Sequence, residues 1–156
     1  MRIESLQNPR VKRILNLQQK AKARKQEGVF VVEGLREVER ALLSGFELIE
    51  IWSDKNIPKN LPLPATALVV ECSIPVFEKL TYREAAADVL ALFCTKEIVL
   101  EKLVLPENPL IIVLETVEKP GNIGAVLRTA NALGAHAVFL CNSVVDVYNP
   151  NVIRNS

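Results

Sequence analysis

The chain holds one histidine, three cysteines and eight aromatic residues in 156. Cys72, Cys94 and Cys141 are odd in number, widely spaced and form no CxxC pair. Neither a disulfide framework nor a zinc site is implied, and no other metal site is expected. Cys94 and Cys141 lie in apolar, strand-like runs and are expected to be buried as small hydrophobes. His136 sits between Ala135 and Ala137 with no carboxylate or nucleophile in local register, which argues against a general-base role. No apolar run approaches membrane-spanning length, and the basic N-terminus lacks a signal-peptide stretch. A cytoplasmic location without a membrane partner is expected. No GK[ST] follows a glycine-rich loop and no GxGxxG occurs, so the P-loop and dinucleotide fingerprints are excluded.

Apolar residues make up 49% of the chain, so a core of Leu, Val, Ile and Ala is available. The net charge of +1 hides an asymmetry: residues 1–25 carry +7 and the remainder carries −6. A basic arm on an acidic body suggests a nucleic-acid-facing N-terminus.

Ser5 to Lys25 reads as one helix with Leu6, Val11, Ile14, Leu15 and Leu17 inward and a start delayed by Pro9. Lys20, Lys22, Arg24 and Lys25 decorate its other faces. A solvated helix and an RNA-contacting one both fit these cations. Strands are expected at Gly28–Val32, Phe46–Trp52, Ala67–Glu71 and Ala87–Cys94. Helices are expected at Leu35–Leu43 and from Ser73-Ile74-Pro75 to Leu80, with a loop over Asn56–Pro64. This alternation predicts a three-layer α/β unit over residues 1–95. Arg36 and Arg40 stand one turn apart, with Glu33 and Glu37 placed to neutralise them. Lys96 to Asn108 reads as a linker, and a second unit starts at Pro109.

In that unit Leu110–Leu114 predicts a buried strand of a parallel sheet and Ala137–Cys141 a second. Between them Pro120 and Gly121 break the strand, and Asn122 is a fitting N-cap. Ile123, Val126, Leu127, Ala130 and Leu133 share one helical face, and Gly134 is placed to end the helix in a left-handed conformation. Arg128 lies on another face, above the small Gly124 and Ala125, so its guanidinium can lie toward Asn122 and the free N–H groups. A cation there makes sense if an anion, such as a phosphate, sits at the helix start. Asn142–Asp146 forms a polar loop at the sheet's carboxyl edge.

Pro120-Gly121-Asn122-Ile123-Gly124-Ala125, then Arg128-Thr129-Ala130 and Gly134-Ala135, resembles the first motif of the SpoU (TrmH-like) RNA ribose 2′-O-methyltransferases of the SPOUT superfamily. Asn149–Ser156 resembles the family's next segment, and Phe30–Gly34 with Val38, Ala41 and Leu42 resembles its accessory substrate-binding domain. The resemblance implies an N-terminal L30e-like α/β domain, a linker at 96–108, and the first part of a SPOUT (α/β knot) methyltransferase domain at 109–156.

It also implies S-adenosylmethionine-dependent methylation of a ribose 2′-hydroxyl in structured RNA, most of all large-subunit ribosomal RNA. Arg128 would be the central catalytic residue, Asn122 would orient it or the ribose, and Arg154 and Ser156 would touch RNA or shape the pocket. The sequence stops at Ser156, ahead of the motifs that build the knot and most of the cofactor pocket. Weak or absent cofactor binding, an uncovered apolar surface near Val138–Leu140, and a homodimer only with the missing region are therefore expected. Two other readings stand beside the enzyme: a non-catalytic RNA-binding module, and a small α/β phosphate-binding domain unrelated to RNA.

Overall fold

Asn8-Pro9 and Asn149-Pro150 open two helices in the same way. The asparagine side chain accepts from the N–H two residues on, and the proline occupies the first helical position, where a missing N–H costs nothing. The computed structural model describes residues 1–59, 61–82 and 88–156. They fall into two compact units, Met1–Thr95 and Lys96–Ser156.

In the first unit β1 (Arg2–Ile3), β2 (Val29–Glu33), β3 (Leu48–Ser53), β4 (Leu68–Cys72) and β5 (Leu90–Cys94) form one sheet, ordered β1-β4-β3-β5-β2. β1, β4 and β3 are parallel, whereas β5 runs antiparallel to both β3 and β2. The short edge strand β1 carries no sequence signal of its own. Ala87, where the fifth strand is expected to begin, lies outside the described residues.

Strand alternation sends Val29, Val31, Trp52, Val70, Leu90 and Leu92 to one core. There they meet α1 (Pro9–Gln19), α2 (Ala21–Glu27) and α4 (Ile74–Leu80) through Val11, Ile14, Leu17, Ala23, Val76, Phe77 and Leu80. On the alternate positions Phe30 stacks against Phe93 and meets Phe46 edge-on, on the face that takes α3 (Leu35–Leu43). This is the expected layered α/β arrangement.

The single basic helix expected over Ser5–Lys25 is two helices. Lys20 is extended at φ −117°, ψ 114°. The cause lies beyond local propensity, which favours helix throughout. The Arg24 guanidinium folds back onto the Leu17 and Gln18 carbonyls at 2.5 and 3.2 Å, supplying the last turn of α1 with the partners that a continuing helix would have given.

In the second unit, after a short 3-10 turn at Leu100–Lys102, β6 (Ile111–Glu115) and β7 (Ala137–Cys141) pair in parallel. The crossover between them is α5 (Pro120–Ala132), and α6 (Pro150–Asn155) follows. Gly134 ends α5 at φ +69°, with its N–H on Asn131 O and that of Ala135 on Ala130 O, a Schellman pair. Ile123 and Ala130 are buried as expected, but Leu133 is 65% exposed. Val138–Leu140 are half-buried, while Val113 on β6 is 59% exposed. Among the described residues no helix is long and apolar enough to cross a membrane.

Candidate functional site

α5 starts earlier than Asn122. Lys119 is its N-cap and Pro120 its first residue, so Asn122 stands in the first turn, one place short of a second. This corrects the expected asparagine cap: proline with its fixed φ suits the first helical position better than the breaker role. Pro120 has no N–H, and those of Asn122 and Ile123 both reach the Lys119 carbonyl at 3.0 and 3.3 Å. Among the described residues, Gly121 N–H is the first-turn donor left for an outside acceptor.

Gly124 does not leave room for Arg128. It is buried beneath α6, where a Cβ would lie 2.5 Å from Val152 O and 2.7 Å from Asn155 Cβ. The glycine therefore brings two helices together, and the guanidinium lies outside that contact. Arg128 and Asn122 are both exposed, and no hydrogen bond joins them. Among the described residues no carboxylate pairs with Arg128. An unpaired guanidinium two turns into a helix at the carboxyl end of a parallel strand suits an incoming anion. Arg154 on α6 donates to Asn151 Oδ1 at 3.0 Å, and Ser156 Oγ donates to Ile153 O.

The roots of the two loops at the sheet's carboxyl edge are tied together, which the sequence did not signal. Glu115 Oε1 accepts from Asn142 Nδ2 at 2.7 Å and from Thr116 Oγ1 at 3.0 Å. Thr116 and Asn142, each the first residue beyond its strand, are both left-handed, at φ 52° and 50°. For a β-branched threonine that conformation costs on the order of 1–3 kcal/mol and persists only where surroundings impose it. Farther along the second loop, Tyr148 Oη accepts from Lys96 N and donates to Lys96 O, both at 2.9 Å. Burial chiefly, and the Asp146 carboxylate after it, push the Tyr148 pKa up against the lowering effect of the Lys96 backbone bond. At the opposite edge His136 Nδ1 accepts from Leu110 N–H at 3.1 Å, a structural use.

The N-terminal cations divide by residue type. Arg24 is 2% exposed and holds the end of α1. Its expected contact with RNA is therefore corrected: the side chain is buried, and its Nη1 donates to carbonyls inside the unit. Arg13 donates to Glu27 at 2.6 Å and to Glu50 at 3.0 Å, and Arg10 lies 3.6 Å from Glu50. Glu50 is 6% exposed and also accepts from Trp52 Nε1 at 3.0 Å. Arg2 pairs with Glu4. Lys12, Lys20, Lys22 and Lys25 are all exposed, and among the described residues none has an ion pair. Arg36 and Arg40 are exposed, and among the described residues neither forms an ion pair with the expected Glu33 or Glu37; Glu33 accepts the Tyr82 N–H at 3.1 Å.

The cysteines also fall differently from expectation. Cys72 is buried and its pKa is pushed up to about 11, by burial first and the Asp54 charge second. Cys94 and Cys141 are only half-buried. Burial, and then the charge and hydrogen bond of Glu47, raise the Cys94 pKa. Thiols held in this state are poor nucleophiles and metal ligands.

Residues 8–91 match the MRM3-like substrate binding domain, and residues 109–156 match the SpoU rRNA Methylase family. The chain belongs to the SpoU family. Among similar proteins is the 23S rRNA (guanosine(2553)-2′-O)-methyltransferase RlmP of Bacillus subtilis, 32% identical over 99% of this SpoU chain and 60% of the relative. An uncharacterised tRNA/rRNA methyltransferase of Synechocystis is 33% identical over 99% of the chain and 57% of the relative. An AdoMet-bound rRNA methyltransferase of Sinorhizobium meliloti superposes with a TM-score of 0.87 at 29% identity, over 99% of this chain and 59% of that one. The SpoU chain thus spans between half and two thirds of the length of these relatives.

Proposed function

We propose that the chain serves S-adenosylmethionine-dependent 2′-O-methylation of a ribose in ribosomal RNA, with the large-subunit RNA as substrate. The observation that carries this is the exposed, unpaired Arg128 on the helix that follows a parallel strand, within a chain of the SpoU family. The B. subtilis relative acts on 23S rRNA, which supports the large-subunit assignment.

A guanidinium stays protonated in proteins, so Arg128 is not a literal base. It grips the phosphate beside the target ribose and stabilises negative charge developing on the 2′-oxygen. The proton passes to a phosphate oxygen. Asn122, exposed on the first turn, orients the ribose, while Gly121 N–H offers a further donor to the phosphate. Arg154 and the lysines Lys20, Lys22 and Lys25 hold more of the RNA backbone.

S-adenosylmethionine supplies the methyl group in this reading. Arg128 and Gly121 N–H are given to the RNA phosphate in this reading, and no residue of the chain is assigned to the cofactor.

The test is binding of a large-subunit rRNA fragment to the chain with and without Arg128→Ala. Loss of the charged hydrogen bonds should weaken binding by about 1.5–3 kcal/mol. Unchanged affinity would remove Arg128 from the RNA site.

A further inference from the structure

β6 and β7 end in the same way, and in register. Glu115 pairs with Cys141 across the parallel ladder, and the next residues, Thr116 and Asn142, both turn left-handed. Neither is glycine. Thr116 N–H extends the ladder by one bond to Cys141 O at 3.0 Å. The Thr116 hydroxyl and the Asn142 amide then converge on one atom, Glu115 Oε1. One carboxylate oxygen thereby holds both non-glycine residues in a conformation each would leave if released.

The two turns lead to the two helices of the site. From Thr116 only Val117, Glu118 and Lys119 intervene before Pro120, whose φ is fixed by its ring. The direction of the chain at Thr116 therefore sets where α5 starts and where Asn122 and Arg128 are presented. Asn142 opens the loop to α6, which packs on α5 at Gly124.

We propose that Glu115 is a positioning residue for α5: through Thr116 and Asn142 it fixes the approach of α5 and α6 to the carboxyl edge of the sheet. It acts on RNA through Arg128, so its functional consequence rests on the reading above. The latch itself does not.

The experiment uses the full chain with Glu115→Ala and Glu115→Gln. In the alanine variant, Thr116 N–H should exchange with solvent about tenfold faster or more, whereas amides of β2 and β5 in the first unit keep their protection. The strong intraresidue HN–Hα signal of a positive φ should fade at Thr116 and Asn142. Glutamine keeps an acceptor oxygen in the same place and should stay within about threefold of the parent. A double-mutant cycle gives the second readout. Arg128→Ala should cost about ten- to a hundredfold in rRNA affinity in the parent but less than about threefold beside Glu115→Ala.

Three results would overturn the proposal: unchanged left-handed signals in the alanine variant, a glutamine variant as loose as alanine, or equal Arg128→Ala losses in both backgrounds. If Arg128→Ala has no effect even in the parent, the RNA reading fails. The exchange and φ signals then decide the latch alone.

Discussion

Gly124 and Val152 approach so closely that a methyl group on the glycine would sit 2.5 Å from the valine carbonyl oxygen. Backbone on one side and Asn155 on the other leave little to yield. Gly124→Ala should therefore loosen α6 from α5 and destabilise the second unit by about 1–3 kcal/mol. Chemical denaturation followed by a probe in that unit measures this. Gly134→Ala makes a useful contrast, because nothing lies within 4 Å and only its φ of +69° resists a side chain. A loss of about 1 kcal/mol is expected there, with the contact between the helices intact.

Arg24→Ala should cost stability and leave little mark on salt-dependent RNA binding. Its removal leaves the Leu17 and Gln18 carbonyls without their donor, a loss of about 1–3 kcal/mol. Neutralising exposed Lys20, Lys22 and Lys25 should do the reverse. Stability should hold within about 0.5 kcal/mol. The slope of log K against log salt should flatten by about 0.7–0.9 per lysine that contacts phosphate. Denaturation curves and a salt titration of rRNA binding separate the two kinds of cation.

Glu50→Ala should cost stability on the scale of Arg24→Ala. It takes the acceptor from the buried Trp52 Nε1 and one of two carboxylates from Arg13, which keeps Glu27, and it removes the counter-charge from the partly exposed Arg10. A loss of about 1–3 kcal/mol is expected, measured by urea unfolding.

Cys72 gives a pH signature. Its pKa is raised from 9.0 to about 11 in the folded chain, so the folded state holds the proton more tightly than the unfolded one. The stabilisation is complete below pH 9 and is lost as pH rises from about 9 to about 11, by at most about 3 kcal/mol. Tyr148, raised above 10.0, acts in the same direction at higher pH. The fall in unfolding free energy between pH 8 and pH 11 should shrink in Cys72→Ala, and what remains comes from groups such as Cys94 and Tyr148, whose pKa values are also raised. An undiminished fall in that variant would assign the effect to other groups.

Elements with a local signature were legible in the sequence. The helix Leu35–Leu43 and the Gly134 stop follow from periodicity and from one residue suited to positive φ. Features set by distant partners were not. The break at Lys20 depends on Arg24 curling back to carbonyls six and seven residues earlier. The Gly124 contact depends on a helix that begins 26 residues later. The Glu115 latch depends on Asn142, across the sheet. Arg128 stands out in the sequence because a motif marks it, whereas its lack of an ion pair among the described residues is a property of the folded chain.

The split between arginine and lysine along the N-terminal helices has a consequence for selectivity. The planar forks that could read a base edge are turned inward or paired, and compact ammonium groups face solvent. Such an arm attracts any polyanion and can shift along it by a nucleotide at little cost. On the proposed RNA-binding reading, it would raise the local concentration of RNA without choosing an address, and discrimination among nucleotides would come from elsewhere in the protein.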